Sequence, residues 1–148
     1  MKKNSASWNI AATHWLTSGF VVPLILSFVI IFILKIIFGK DIESGATLIA
    51  FASIIYLPVV YWLGVMYSAR YVNKKYFIES SNEIAKLATI YLIIVGGGLR
   101  LLQTINGSGL IMDNIGFILA VIVFYIASKK YIKNSNEQSS TTPTSGSL

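Results

Sequence analysis

The chain has 148 residues, 55% of them hydrophobic and 12% charged, with a mean hydropathy of +0.69. Soluble domains carry about 25% charged residues, so a bilayer is the solvent that fits this much apolar surface. The lack of cysteine excludes disulfides, thiolate metal sites and thiol nucleophiles, and the net charge of +6 gathers at the ends of apolar runs, where topology rather than nucleic acid accounts for it.

The first nineteen residues include SASWNIAATHWLTSG. Trp8, Ala11, Ala12 and Trp15 fall at i, i+3, i+4 and i+7, on one helical face. With Lys2 and Lys3 ahead, residues 1–19 read as an N-terminal interfacial helix anchored by Trp8 and Trp15. A continuous first helix with an interfacial end reads equally well. His14, the single histidine, stands beside Trp15 and reads as a solvated interfacial residue.

Apolar runs follow at 20–38, 46–69, 84–105 and 110–131. Each approaches or exceeds the ~20 residues a helix needs to cross ~30 Å of hydrocarbon. They are continuous rather than alternating, which selects helices over barrel strands. The expected fold is therefore an all-α membrane protein, a four-transmembrane-helix bundle of two antiparallel helical hairpins over residues 20–133. Residues 134–148 have no large apolar residue before the last position and read as a disordered cytoplasmic tail.

Orientation follows from the basic residues. Lys2, Lys3, Arg70, Lys74, Lys75, Lys86, Lys129, Lys130 and Lys133 flank the spans on one side, and Lys35, Lys40 and Arg100 on the other. Nine against three places both termini in the cytoplasm (N-in, C-in) and argues against dual topology. Heavy use of Ile, Lys, Asn and Ser is typical of AT-rich bacterial genomes, so the expected location is a bacterial cytoplasmic membrane. Ser44-Gly45-Ala46 resembles a signal-peptide cleavage site, but the run before it is long and interrupted by Lys35, so no cleavage is expected.

The connections are short. Ser80-x-x-Glu83 is a capping box that starts the third helix, and NGSG, residues 106–109, closes a tight turn between the third and fourth. Just before that turn the third span carries Gly96, Gly97, Gly98 and then Arg100. Glycine costs about 1 kcal/mol in a helix, so three in a row need a reason. They strip side chains from more than one face, for close helix packing or for a broken helix that lines a ligand site. The small pairs Ala46/Ala50, Gly64/Ser68 and Gly116/Ala120 offer packing partners. Arg100 lies about five residues from the external end of its span, and Asp113 three or four residues into the next. The turn brings them to nearly the same depth, where an ion pair would lock the hairpin.

No ionisable residue falls near the middle of any run, which argues against proton relays and ion-coupled carriers. One histidine and six scattered acids make no triad, carboxylate pair or metal cluster, so no enzyme, cofactor or metal is expected. Tyr56, Tyr91, Asn114 and Tyr125 lie at mid-depth with Tyr61 and Thr89, near helix-perturbing Pro58, and Pro23 perturbs the start of the first run. The first four read either as interhelical hydrogen bonds or as a polar cleft for a sugar or lipid headgroup. The basic edge of Arg70, Lys74, Lys75, Lys129, Lys130 and Lys133 would attract anionic lipid at ~1 kcal/mol per charge.

YVNKKYF at 71–77 matches IASKKYI at 126–132, a faint repeat after two even-numbered spans. These exits resemble the GtrA family of four-helix bacterial proteins, whose second and fourth spans end in an aromatic, then Asn, then basic and aromatic residues. Asn73-Lys74-Lys75-Tyr76-Phe77 fits that pattern, as do Tyr125 and Ser128-Lys129-Lys130-Tyr131, over about fifteen residues. Arg70 departs from the first aromatic and Ser128 from the second Asn. The resemblance implies help in moving lipid-linked sugars across the membrane. The residues themselves lead first to a non-enzymatic accessory or scaffold subunit acting through helix contacts, as a homo-oligomer or with a membrane-protein partner. A small oligomeric translocator of a lipid-linked sugar or polar solute comes second, and a holin-like pore third.

Overall fold

The computed structural model describes residues 2–38, 42–107 and 111–136. Among them the chain is helical, with no strand. The elements in chain order are α1 (Ser7–Trp15), a π-helical turn (Leu16–Val21), α2 (Val22–Phe38), α3 (Ile42–Lys75), α4 (Ser81–Leu92), a second π-helical turn (Ile93–Gly97), α5 (Gly98–Ile105) and α6 (Ile111–Tyr131). Among the described residues three stretches are long and apolar enough to cross a membrane: Ser7–Val29, Ser81–Ile105 and Asn114–Tyr131.

Trp15, Leu16 and Val22 all hold right-handed helical dihedrals, so α1 runs through the π turn into α2 as one helix. The N-terminal segment is thus the start of the first long helix, the second of its two readings. The widening has a local cause. Pro23 has no N–H for the turn below it, its ring crowds the carbonyl there, and the turn just before it opens. α4 continues through the second π turn into α5 in the same way, opening where Gly96 and Gly97 withdraw side-chain support. Ser80 caps α4 as its spacing from Glu83 predicts, its Oγ accepting from the Glu83 N–H at 3.3 Å. Gly107 ends α5 at φ +70°, a conformation open to glycine.

The core lies at one end. Its buried residues include Ile10 and Ala11 on α1, Val65 and Val72 on α3, Ile84, Ala88 and Leu92 on α4, and Ala120, Phe124 and Ala127 on α6. α3 and α6 share the largest interface, their alanines letting the backbones approach. No described residue of α2 or of 93–107 is buried. Among the described residues, the buried side chains gather at one end and the side chains of α2 and 93–107 are exposed or half-buried. Phe28 and Phe32 on α2 are 68% and 66% exposed, a surface suited to hydrocarbon rather than water.

The packed end is closed by a polar cap. Lys3 N–H donates to the Lys75 carbonyl at 2.8 Å, and Phe77 N–H to the Lys3 carbonyl at 3.0 Å. Asn73 holds the end of α6, its amide donating to the Tyr131 carbonyl at 2.8 Å and accepting from Lys133 N–H at 3.1 Å. Ser135 exchanges bonds with Ile78, donating to its carbonyl at 2.8 Å and accepting its N–H at 2.9 Å. Asn134 accepts the Ser81 N–H at 2.7 Å. Residues 134–136 therefore belong to this folded end, while the rest of the expected tail, 137–148, lies outside the described residues.

Candidate functional site

Gly64 sets the first part of the site. A Cβ there would stand 2.6 Å from the Ser18 carbonyl oxygen, so α3 touches the backbone of the first π turn directly. One turn further along α3, that approach presents Ser68 to His14. The imidazole Nδ1 is 3.0 Å from Ser68 Oγ, and Nε2 is 3.0 Å from Ser128 Oγ on α6. Ser68 also donates to the His14 carbonyl at 3.2 Å, as does Ser18. The network closes when Nδ1–H donates to Ser68, Ser68 donates to the His14 carbonyl, and Ser128 donates to Nε2. Phe124 lies 5.7 Å from the ring, centroid to centroid.

His14 is 0% exposed. The solvated interfacial histidine expected from sequence is instead the polar centre of a junction of three helices. The legible signal was the stripe Ile10, Ala11, His14 and Ser18, all buried at helical spacing. Of the two expected interface anchors, Trp8 is 57% exposed, but Trp15 is half-buried, 6.0 Å from the Tyr91 ring.

Trp15 forms part of the second feature, a cavity of about 370 Å³ just beyond the junction. Both π turns border it, through Gly19 and Phe20 on one side and Val95 and Gly96 on the other. Pro23, Tyr61 and Phe117 complete its apolar wall, and Ser27, Arg100 and Gln103 bring polar groups. The Trp15 indole N–H is buried and has no hydrogen-bond partner among the described residues. The Arg100 guanidinium lies 6.0 Å from the Phe117 ring centroid.

The expected polar cleft involved other residues. Tyr56 reaches this cavity only through Ser27, its hydroxyl 3.2 Å from Ser27 Oγ. Tyr91 packs on Trp15, and Asn114 and Tyr125 are half-buried in α6; none of the three lines the cavity. The glycine run divides. A Cβ on Gly96 would lie 2.8 Å from the Phe117 ring, one on Gly97 3.9 Å away, and one on Gly98 would meet nothing within 4 Å. Gly116 and Ala120 are buried on α6. The proposed Arg100–Asp113 pair and the Ala46/Ala50 contact rest on side chains outside the described ones.

Among the described residues no group of three His, Cys, Asp or Glu could hold a metal ion. The polar residues Trp15, Gln103 and Arg100 border an otherwise apolar space. Such a set suits a polar, acceptor-bearing head attached to an apolar chain.

Among the described residues these features define an all-helical protein with three helices long and apolar enough to cross a membrane and a cavity between helices. No family model, curated protein or solved structure matches the chain. The resemblance to GtrA proteins is carried by the two span exits alone. The Ser128 hydroxyl, at the second of these exits, serves His14.

Proposed function

We propose that the chain is a non-enzymatic integral membrane protein of four transmembrane helices, its capped end and both termini in the bacterial cytoplasm. It receives the polar head of an amphiphile or small solute in the Trp15–Arg100 cavity and, as an oligomer, passes it across the bilayer. The cavity carries this reading: Trp15, Arg100 and Gln103 border it, beside α2 and residues 93–107, whose described residues are not buried. The exposed Arg70, Lys74, Lys75, Lys129 and Lys130 would hold anionic lipid at the capped end. A pore through one chain is disfavoured, because Val65, Leu92 and Phe124 fill the packed half.

The second reading is an accessory subunit. What favours it is α2, whose exposed apolar face a second copy or a partner helix would cover. Native mass spectrometry of the protein extracted with its own lipids into nanodiscs separates the two. A retained lipid or sugar-lipid, lost in Arg100→Gln, supports translocation. A bare chain, or one bound only to another protein, sinks it.

A further inference from the structure

Three observations converge on His14. It is the single histidine, it is fully enclosed, and each ring nitrogen meets a serine hydroxyl from a different helix. It also sits directly beneath the cavity. Trp15 is the next residue, Gly19 lies little more than one turn on, and Phe124 bridges the imidazole to Tyr61 of the cavity wall at 5.7 and 6.1 Å. A structural polar link between helices would need only one donor and one acceptor, and an asparagine supplies both. Imidazole brings in addition a site for a proton.

We infer that His14 is the proton-binding site of this protein, and that proton occupancy governs whether α1 stays closed against α3 and α6 beneath the cavity. The neutral ring satisfies the closed junction completely. A proton taken from water would add at Nε2, turning that nitrogen from acceptor to donor and forcing Ser128 to direct its own hydrogen elsewhere. Among the described residues the new cation would meet no paired counter-charge. The titratable residues flanking the junction in sequence on the packed helices are buried Tyr61 and exposed Arg70 on α3, exposed Glu83 and Lys86 on α4, and half-buried Tyr125 and exposed Lys129 on α6. α1 and the π turn contribute no other. Closure and the charged ring therefore exclude each other, and the proton binds the state in which α1 has separated and water has entered. Acid shifts the population toward that state by mass action. Separation moves Trp15 and Gly19, so the cavity wall moves with the proton.

What the opening serves rests on the ligand-handling reading above; the proton binding does not, and the test uses no ligand. One histidine gives one pair of imidazole signals. The full chain, carrying [15N]histidine, is placed in bilayers and followed by solid-state NMR as pH falls from about 7.5 to about 5, alongside hydrogen exchange corrected for intrinsic rate. The expected result is a neutral ring with both nitrogens hydrogen-bonded at the start. Imidazolium then appears together with at least about a ten-fold rise in exchange over α1. Ser128→Ala, which removes the donor to the neutral ring, moves that transition to higher pH, and His14→Asn abolishes the pH response of exchange. A ring that stays neutral throughout overturns the inference, and so does one that titrates while exchange over α1 is unchanged. Should the coupled transition occur in protein that retains no lipid by mass spectrometry, the proton site stands and the translocation reading falls alone.

Discussion

Nε2 of His14 and Oγ of Ser128 lie 3.0 Å apart although 114 residues separate them in the chain. This bond ties the first helix to the last, and its partner, Nδ1 to Ser68 Oγ at 3.0 Å, ties the first to the long α3. Three helices with little else polar between them are thereby fixed in rotation as well as position. Apolar contacts alone tolerate sliding, whereas an imidazole between two hydroxyls does not.

Removing either hydroxyl leaves a buried ring nitrogen without a partner. Ser68→Ala and Ser128→Ala are each expected to cost about 1–3 kcal/mol of stability. Because both act on one ring, the double variant should depart from additivity by at least about 0.5 kcal/mol. Reversible unfolding in mixed micelles measures this. Two losses that simply add would mean that the serines act independently of His14.

The glycines divide sharply by what surrounds them. Gly64→Ala would put a methyl 2.6 Å from a backbone oxygen, Ser18's, which cannot rotate away. It is expected to cost about 1–3 kcal/mol and to loosen the His14 junction. Gly98→Ala meets nothing within 4 Å and should stabilise α5 by up to about 1 kcal/mol. Equal effects of the two substitutions on the unfolding midpoint would contradict the packing described.

The helices were legible because runs of about twenty apolar residues have one stable form in lipid, and the start of α4 because Ser80 and Glu83 make a local signature. The His14 junction was not. Its partners lie 54 and 114 residues away, and no local pattern marks a serine as the mate of a distant histidine. The glycine run in the sequence is compatible with close packing or with an opened helix. Gly96 packs on Phe117 inside a widened turn, so packing and widening occur together. The cavity was missed because two perturbations remote in sequence, before Pro23 and at Gly96, must be brought side by side before the space between them exists.

At the capped end, Asn73 satisfies two backbone groups of the last turn and its exit, the Tyr131 carbonyl and the Lys133 N–H. Asn73→Ala should cost about 1 kcal/mol, since the site is only half-buried and water replaces part of the loss. The effect should be local: faster protease cleavage near Lys133, with the His14 signals unmoved. Shifted His14 signals would show that the cap and the junction are one unit.

The hairpin pair offers a further test. If the pair expected from sequence forms, Arg100→Gln and Asp113→Asn are non-additive by at least about 0.5 kcal/mol in a double-mutant stability cycle. Additive effects would leave each side chain reaching the interface separately, and the hairpin held by its turn alone.

The Trp15 indole separates a ligand site from an empty packing defect. Its N–H is buried with no partner among the described residues, in a side chain that borders the cavity. Trp15→Phe removes the donor and some packing volume. In delipidated protein these effects oppose each other, so stability should change by less than about 1 kcal/mol. In protein extracted with its own lipids, the same substitution should lower retention of the bound amphiphile by about ten-fold, the equivalent of one lost hydrogen bond of ~1.4 kcal/mol. A large loss in the lipid-free protein with retention unchanged would show that the indole is there to fill space, and that the cavity beside it holds no acceptor.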